Sequence, residues 1–227
     1  MAEVAERLER IRERIAAAAA RAGRDAAAVT LVGATKGVDP GRIREAVAAG
    51  LVDFGENWVQ EALRKIAALG PGPRWHFIGR LQRNKVRHVA GAFEVVHSID
   101  RLQVAEALDR AAARVGRRLR VLVEVNIAAE ATKSGVAPEA ADALVGALGT
   151  LRHLEVAGLM TIGPIVASPE AMRPYFRRLR EMRDRLRAGP GGPGFVELSM
   201  GMSADFEVAV EEGATIVRVG RAVFGER

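Results

Sequence analysis

Eight short apolar runs, each rich in β-branched residues and bounded by polar or turn residues, recur along the chain. They cover Thr30 to Lys36, Val52 to Asn57, Arg74 to Gly79, Val95 to Asp100, Arg120 to Asn126, Glu155 to Thr161, Phe195 to Gly201 and Thr215 to Gly220. Runs of this length and composition read as buried strands. Between them, apolar residues return every three or four positions, the spacing of helices that bury one face. The sets are Ile43, Val47 and Leu51; Val59, Leu63 and Ile66; Leu102, Ala105 and Leu108; Leu144, Val145 and Leu148; Phe176, Leu179, Met182 and Leu186. Strands that alternate with helices pair in parallel through right-handed crossovers, and eight of them close into a (β/α)₈ TIM barrel of the α/β class. An open doubly wound sheet is the competing arrangement. No Gly-x-Gly-x-x-Gly follows the first strand, as the dinucleotide-binding version of that sheet would require.

The last run is followed almost at once by Phe224-Gly225-Glu226-Arg227, which leaves the outer ring one helix short. Val4, Leu8, Ile11 and Ile15 recur at helical spacing ahead of Gly23. They predict an amphipathic N-terminal helix that fills the gap beside the last strand. The loosest segment, GPGGPG from Gly189 to Gly194, reads as the connection into the seventh strand. Residues 1–227 are expected to form a single domain, a size at which α/β barrels commonly stand alone.

The chain is 49% hydrophobic, enough for one large core. No stretch of eighteen apolar residues occurs, and MAEVAERLERIRERI mixes charge from its third residue, so a cytoplasmic protein without membrane span or secretory leader is expected. With no cysteine, disulfides, thiolate metal sites and cysteine nucleophiles are excluded. The four histidines show no close pairing on one helix face, so no metal centre is expected. The net charge of +6 comes largely from arginines interleaved with acids, as in RRLREMRDRLR from Arg177 to Arg187, which is the pattern of a solvated, ion-paired helix face. Aromatic residues are only 4%, too few to offer stacking platforms for a nucleic acid. Small anions suit the charge instead, and a surface without an obvious apolar patch predicts a monomer.

Lys36 closes the first apolar run, in a chain with only four lysines among thirty-four basic residues. An ammonium at the tip of a buried strand is costly to keep charged, and a neutral amine at a barrel mouth suits Schiff-base chemistry with a carbonyl compound such as pyridoxal phosphate. A lysine that snorkels to solvent is the alternative. Other polar residues stand where the strands end: Asn57, His76, Asp100, Asn126, Thr161, Ser199 with Ser203, and Arg218. The strand ends of a parallel barrel converge on its active face. After the seventh run comes Ser199-Met200-Gly201-Met202-Ser203, leading into a helix near Asp205, and after the eighth comes Arg218-Val219-Gly220-Arg221. Barrels frequently bind phosphate with these two loops, which makes Ser203, Gly220 and the backbone of Arg221 the expected anion ligands. A plain turn with an N-cap serine is the competing reading.

Several long motifs in order resemble the pyridoxal-phosphate homeostasis (YggS/PROSC) family, whose fold is similar to the N-terminal barrel of alanine racemase. They are ATK ending at Lys36, FGENWVQE (Phe54 to Glu61), WHFIGRLQRNK (Trp75 to Lys85), SID (Ser98 to Asp100), VNIAAEATKSG (Val125 to Gly135), GLMTI (Gly158 to Ile162), LSMGMSADFEVAVEEGAT (Leu198 to Thr215) and VRVGRAVFG (Val217 to Gly225). The resemblance implies that Lys36 forms the internal aldimine with pyridoxal phosphate and that Asn57 lies against the cofactor ring. It also implies that Ser203, with Ser199 close by, and the amides of Gly220 and Arg221 hold the phosphate, while Arg218 faces the pyridine nitrogen. Position 221 is usually small or hydroxylated in the family; arginine keeps the backbone amide and loses a hydroxyl contact.

An arginine beside the pyridine nitrogen disfavours its protonation by like-charge repulsion and weakens the ring as an electron sink. Racemisation also needs a second acid or base opposite Lys36, which alanine racemase takes from a tyrosine of its extra domain and partner subunit. The only tyrosine here, Tyr175, falls on the helix after the sixth strand among arginines, where a surface role is expected. The expected function is therefore a non-catalytic protein that binds and buffers pyridoxal phosphate and delivers it to apo-enzymes. A weak racemase using Lys36 as base is the alternative. The basic segment Arg80, Arg83, Lys85, Arg87 and His88 reads as a charged helix start, with Lys85 and Lys133 candidates for a secondary anion site.

Overall fold

A computed structural model of the chain describes residues 2–130 and 132–225; Ala131, inside the Val125–Gly135 motif, lies outside them. Eight strands form a closed parallel barrel in chain order. They are β1 (Thr30–Ala34), β2 (Asp53–Glu56), β3 (Arg74–Phe77), β4 (Val95–Ile99), β5 (Leu119–Glu124), β6 (Leu154–Met160), β7 (Glu197–Ser199) and β8 (Ile216–Val219). Every expected strand is present. Every run overshoots at its C-terminal end, by one or two residues that lie past the end of the ladder. That overshoot is what places Lys36, Asn57, Asp100 and Thr161 beyond their strands, at the mouth.

Nine helices surround the described barrel: α1 (Ala2–Arg21), α2 (Pro40–Ala48), α3 (Val59–Leu69), α4 (Val86–Ala92), α5 (Leu102–Arg114), α6 (Ala141–Leu148), α7 (Arg173–Ala188), α8 (Phe206–Glu211) and α9 (Arg221–Phe224). Their buried faces meet the outer faces of the strands in one large apolar layer that includes Leu8, Ile43, Phe54, Phe77, Leu108, Phe176 and Phe206. A separate small cluster of Val32, Leu122, Ala157, Met160 and Ile216 fills part of the barrel interior. The apolar spacing did not mark α4, although the basic segment from Arg80 to His88 reads as a helix start. In α4, Val86, Val89 and Ala90 are buried at helical spacing, but the element is only seven residues long and follows a basic stretch.

The N-terminal helix completes the ring as expected. Val4, Leu8, Ile11 and Ile15 are all buried, and α1 packs on α2, α8 and α9. Ion pairs fasten it: Arg14 to Glu207 at 2.8 Å and Arg21 to Glu211 at 2.7 Å, while Arg24 donates to the Ala214 carbonyl at 2.8 Å. Instead of stopping at β8, the chain adds the single turn α9.

Two glycines set the mouth. Gly201, at φ +93°, lets the loop after β7 lie on α8; a Cβ there would stand 2.5 Å from the Ala209 side chain and 3.0 Å from the Phe206 Cα. Gly79 brings the loop after β3 onto Asn57, whose carbonyl would be 2.2 Å from an added Cβ. No described helix is long and apolar enough to cross a membrane.

Candidate active site

At the C-terminal mouth, the loops after β7 and β8 enclose a cavity of about 490 Å³ with the end of β1. Ala34, Met202, Ser203, Ala204, Asp205, Arg218, Gly220 and Arg221 line it. The Asp205 carboxylate accepts from the Met202 amide at 2.6 Å, which tightens the turn ahead of α8. The Ala222 amide donates to Ser203 Oγ at 3.4 Å and ties the two loops together. Ser203, Gly220 and Arg221, the expected phosphate ligands, thus share one concave wall. Lys36 follows Ala34 by two residues, in the turn that the Val38 amide closes on the Thr35 carbonyl at 2.9 Å.

Lys36 itself differs from expectation. It is exposed rather than buried, with its ammonium 5.9 Å from the centroid of the Trp58 ring, and Trp58 is also largely exposed. Burial therefore supplies no desolvation to this amine. What is buried is the frame on either side of it. The Lys65 ammonium, on α3, donates to the Thr35 carbonyl at 2.5 Å, to Glu56 Oε1 at 2.7 Å and to Glu61 Oε1 at 2.6 Å. Glu61 in turn accepts from the Gly37 amide at 2.6 Å, and the Thr35 hydroxyl donates to Glu56 at 2.6 Å. The residues flanking Lys36 are thereby fixed to β2 and α3. Burial pushes the Glu56 carboxyl upward against the opposing hydrogen bonds of Lys65 and Thr35. Glu61 is pulled down: its partial burial is outweighed by Lys65 and the Gly37 amide. Sequence reasoning missed this clamp, although Glu61 and Lys65 stand at i, i+4 on a helix and Glu56 is a charge inside a buried strand.

The barrel interior holds a second polar system. Asp53 Oδ1 lies 2.8 Å from His76 Nε2, His76 Nδ1 lies 2.9 Å from His97 Nε2, and His97 Nδ1 lies 2.8 Å from Ser199 Oγ. Arg218 Nη1 donates to Ser199 Oγ at 2.6 Å, and Nη2 donates to the Thr161 carbonyl at 2.8 Å. His76 and Ser199 are consequently interior residues: neither lines the mouth cavity, and the Ser199 hydroxyl is engaged by His97 and Arg218. Burial pushes the Arg218 guanidinium down to about 10, a fall opposed by Glu124 and Asp205, so it stays a cation at neutral pH. Burial above all holds His97 well below its ordinary value of 6.5, and the Arg218 guanidinium acts in the same direction.

A pH dependence of stability follows. Native His97 stays neutral while the unfolded chain takes up a proton below pH 6.5, so the unfolded state gains protons first and stability falls as pH drops through that value. The expected contribution is about 1.4 kcal/mol per pH unit below 6.5 until the native ring titrates. Urea unfolding at pH 6 and pH 5 should show this extra slope in the natural protein and lack it in His97→Gln; equal slopes would contradict it.

The remaining polar strand-end residues are occupied locally. Asn126 Nδ2 donates to the Glu130 carbonyl at 2.8 Å and organises its own loop, Thr161 Oγ1 donates to the Val125 carbonyl at 2.8 Å, and Asp100 accepts from Arg101 at 2.9 Å. Asn57 lines a neighbouring recess with Trp58, Phe77, Arg80, Gln82 and Lys85. Lys133 is held by Glu130 at 3.1 Å and the Gly163 carbonyl at 2.8 Å and does not line that recess. Tyr175 is half-buried on α7, packed against the helix layer.

The family model for the alanine racemase N-terminal domain matches residues 7–227. A pyridoxal phosphate homeostasis protein of Aquifex aeolicus is 49% identical over 223 residues, 98% of this chain and 97% of the relative. One from Pseudomonas aeruginosa is 46% identical over all of this chain and 97% of its own length. Among solved structures, PipY of Synechococcus elongatus with pyridoxal phosphate bound superposes with a TM-score of 0.86 at 35% identity, covering 98% of this chain and 100% of PipY. The barrel, the mouth cavity and these likenesses agree: the chain belongs to the alanine racemase N-terminal domain family, among the pyridoxal phosphate homeostasis proteins.

Proposed function

We propose that this protein binds pyridoxal 5'-phosphate through the Lys36 amine, buffers it in the cytoplasm as a monomer, and releases it to apo-enzymes without a turnover of its own. The observation that carries the reading is the meeting, at one barrel mouth, of an exposed lysine on a clamped backbone with an anion cradle over a buried arginine. The donor set suits the cofactor: a serine hydroxyl and loop amides for a phosphate, a cation beside the cavity, and an exposed amine for an aldehyde. PipY, bound to pyridoxal phosphate at 35% identity, supports the same assignment.

When bound, the cofactor supplies an aldehyde carbon and a conjugated ring. Ser203 with the Gly220 and Arg221 amides would hold its phosphate, and Arg221 offers its backbone where a hydroxyl side chain would add a further contact. Asn57 would bound the ring. Arg218, anchored through both Nη atoms, would present fixed positive charge to the ring nitrogen and keep a proton off it. That suppresses carbanion chemistry and favours storage. Tyr175, packed on the outer helix layer, gives the opposite face no second base.

The reading is tested by exchange. Alanine or serine in deuterated water with the loaded protein should show no α-hydrogen exchange above that of free pyridoxal phosphate. Exchange well above that level, lost in Lys36→Ala, would favour a weak racemase.

A further inference from the structure

The interior of a parallel barrel is ordinarily packed with branched apolar side chains. Here five strands instead contribute a continuous polar chain: Asp53 from β2, His76 from β3, His97 from β4, Ser199 from β7 and Arg218 from β8. It runs from one end of the barrel to the other. Asp53 is the first residue of β2 and pairs with Arg74, the first of β3, whose side chain is about half exposed. Arg218 lines the mouth cavity. We propose that Asp53, His76, His97 and Ser199 are positioning residues, a one-way donor relay that locks Arg218 in a single orientation toward the mouth cavity.

The direction follows from donor arithmetic. Asp53 accepts from the Arg74 guanidinium, including Nη2 at 2.7 Å, and as an ionised carboxylate it has no proton to give. Partial burial would raise this carboxyl, but hydrogen bonds from His76 and Arg74 outweigh it and hold Asp53 below its ordinary range. His76 Nε2 must therefore carry hydrogen and donate. A neutral His76 then offers a lone pair at Nδ1, so His97 Nε2 carries hydrogen and donates to it. His97 Nδ1 is left as an acceptor, which only the Ser199 hydroxyl can fill. Ser199 Oγ keeps a lone pair for Arg218 Nη1. Each bond has one donor and one acceptor, and the chain runs without a fault from the guanidinium to the carboxylate.

Reversing any link breaks the others. A hydrogen on His97 Nδ1 would aim two N–H groups at Ser199 Oγ, from His97 and from Arg218, and leave the serine proton without a partner among these groups. Fully satisfied buried networks are stiff, and partly satisfied ones are costly. Because the Thr161 carbonyl takes the other Nη, the guanidinium plane is held at two points, and its aim depends on a carboxylate at the far end of the barrel. The relay stands on the geometry of the five side chains with an ionised Asp53 at its end; its effect on the ligand rests on the reading of the cavity as a pyridoxal phosphate site.

The test is nitrogen-15 NMR of the histidine rings at neutral pH. His76 and His97 are both expected as neutral Nε2–H tautomers; hydrogen on Nδ1 of either ring, or an imidazolium, would overturn the relay. The second measurement is the dissociation constant for pyridoxal phosphate, with circular dichroism as the check on folding. Asp53→Ala, and Ser199→Ala should that variant not fold, are expected to weaken binding about three- to tenfold, the scale of one hydrogen bond to a charged group. Binding by both relay variants equal to that of the natural protein would overturn the positioning role. Natural protein with both Nε2–H tautomers that takes up no pyridoxal phosphate would support the relay and overturn the reading of the cavity.

Discussion

Lys65→Met should destabilise the folded chain by about 3–5 kcal/mol, the cost of removing one partner from a buried ion pair. Lys65 and Glu56 are 6% and 0% exposed, and methionine offers nothing to the Glu56 carboxylate or the Thr35 carbonyl. One Glu56 oxygen, Oε2, already lacks a partner among the described residues. Because burial already favours the protonated form of Glu56, the variant can relieve part of the penalty by taking up a proton, which keeps the loss within this range. For a chain of this size the expected fall in Tm is roughly 10 °C. Glu56→Gln combined with Lys65→Met should recover a good part of the loss, because the fully buried carboxylate is then replaced by a neutral amide. A single variant as stable as the natural protein, or a double variant worse than the sum of the singles, would contradict the clamp. The same substitution should loosen the backbone on both sides of Lys36 and slow cofactor uptake.

Lys36→Ala should separate two parts of binding that coexist at the mouth. The amine is removed, while Ser203, Gly220, Arg221 and Arg218 keep their places, because none of the hydrogen bonds that hold them involves the Lys36 side chain. Borohydride reduction in the presence of pyridoxal phosphate should then attach no mass at the mouth. Inorganic phosphate should still compete for the cavity, followed through Trp58, the exposed indole beside position 36. Loss of phosphate competition together with the amine would mean that the cradle is not an independent anion site.

The barrel was legible because its signals are local. Apolar runs and helical spacing lie within short windows, and the N-terminal helix showed itself by the same spacing. Strand ends were less legible: Lys36, Asn57 and Asp100 extend apolar runs without joining the ladder, so the first run placed Lys36 in a strand that ends at Ala34. The phosphate loops were readable because glycine and serine after the last two strands carry a known geometry. The exposure of Lys36 was not readable, since it depends on how the loops around Trp58 and Gly37 open. Nor was the relay. Asp53, His76 and His97 are polar residues scattered in three apolar runs, and only closure of the barrel brings them to Ser199 and Arg218. Two histidines on adjacent strands were a usable signal, because β3 and β4 are neighbours in any such barrel.

The central claim is most directly tested by the visible absorption spectrum of the purified protein with pyridoxal phosphate, followed by borohydride reduction and peptide mapping. The account predicts an absorption band of lysine-linked cofactor that disappears on reduction, with the retained mass on Lys36 alone. No such band, or mass scattered over Lys65, Lys85, Lys133 and the amino terminus, would contradict it.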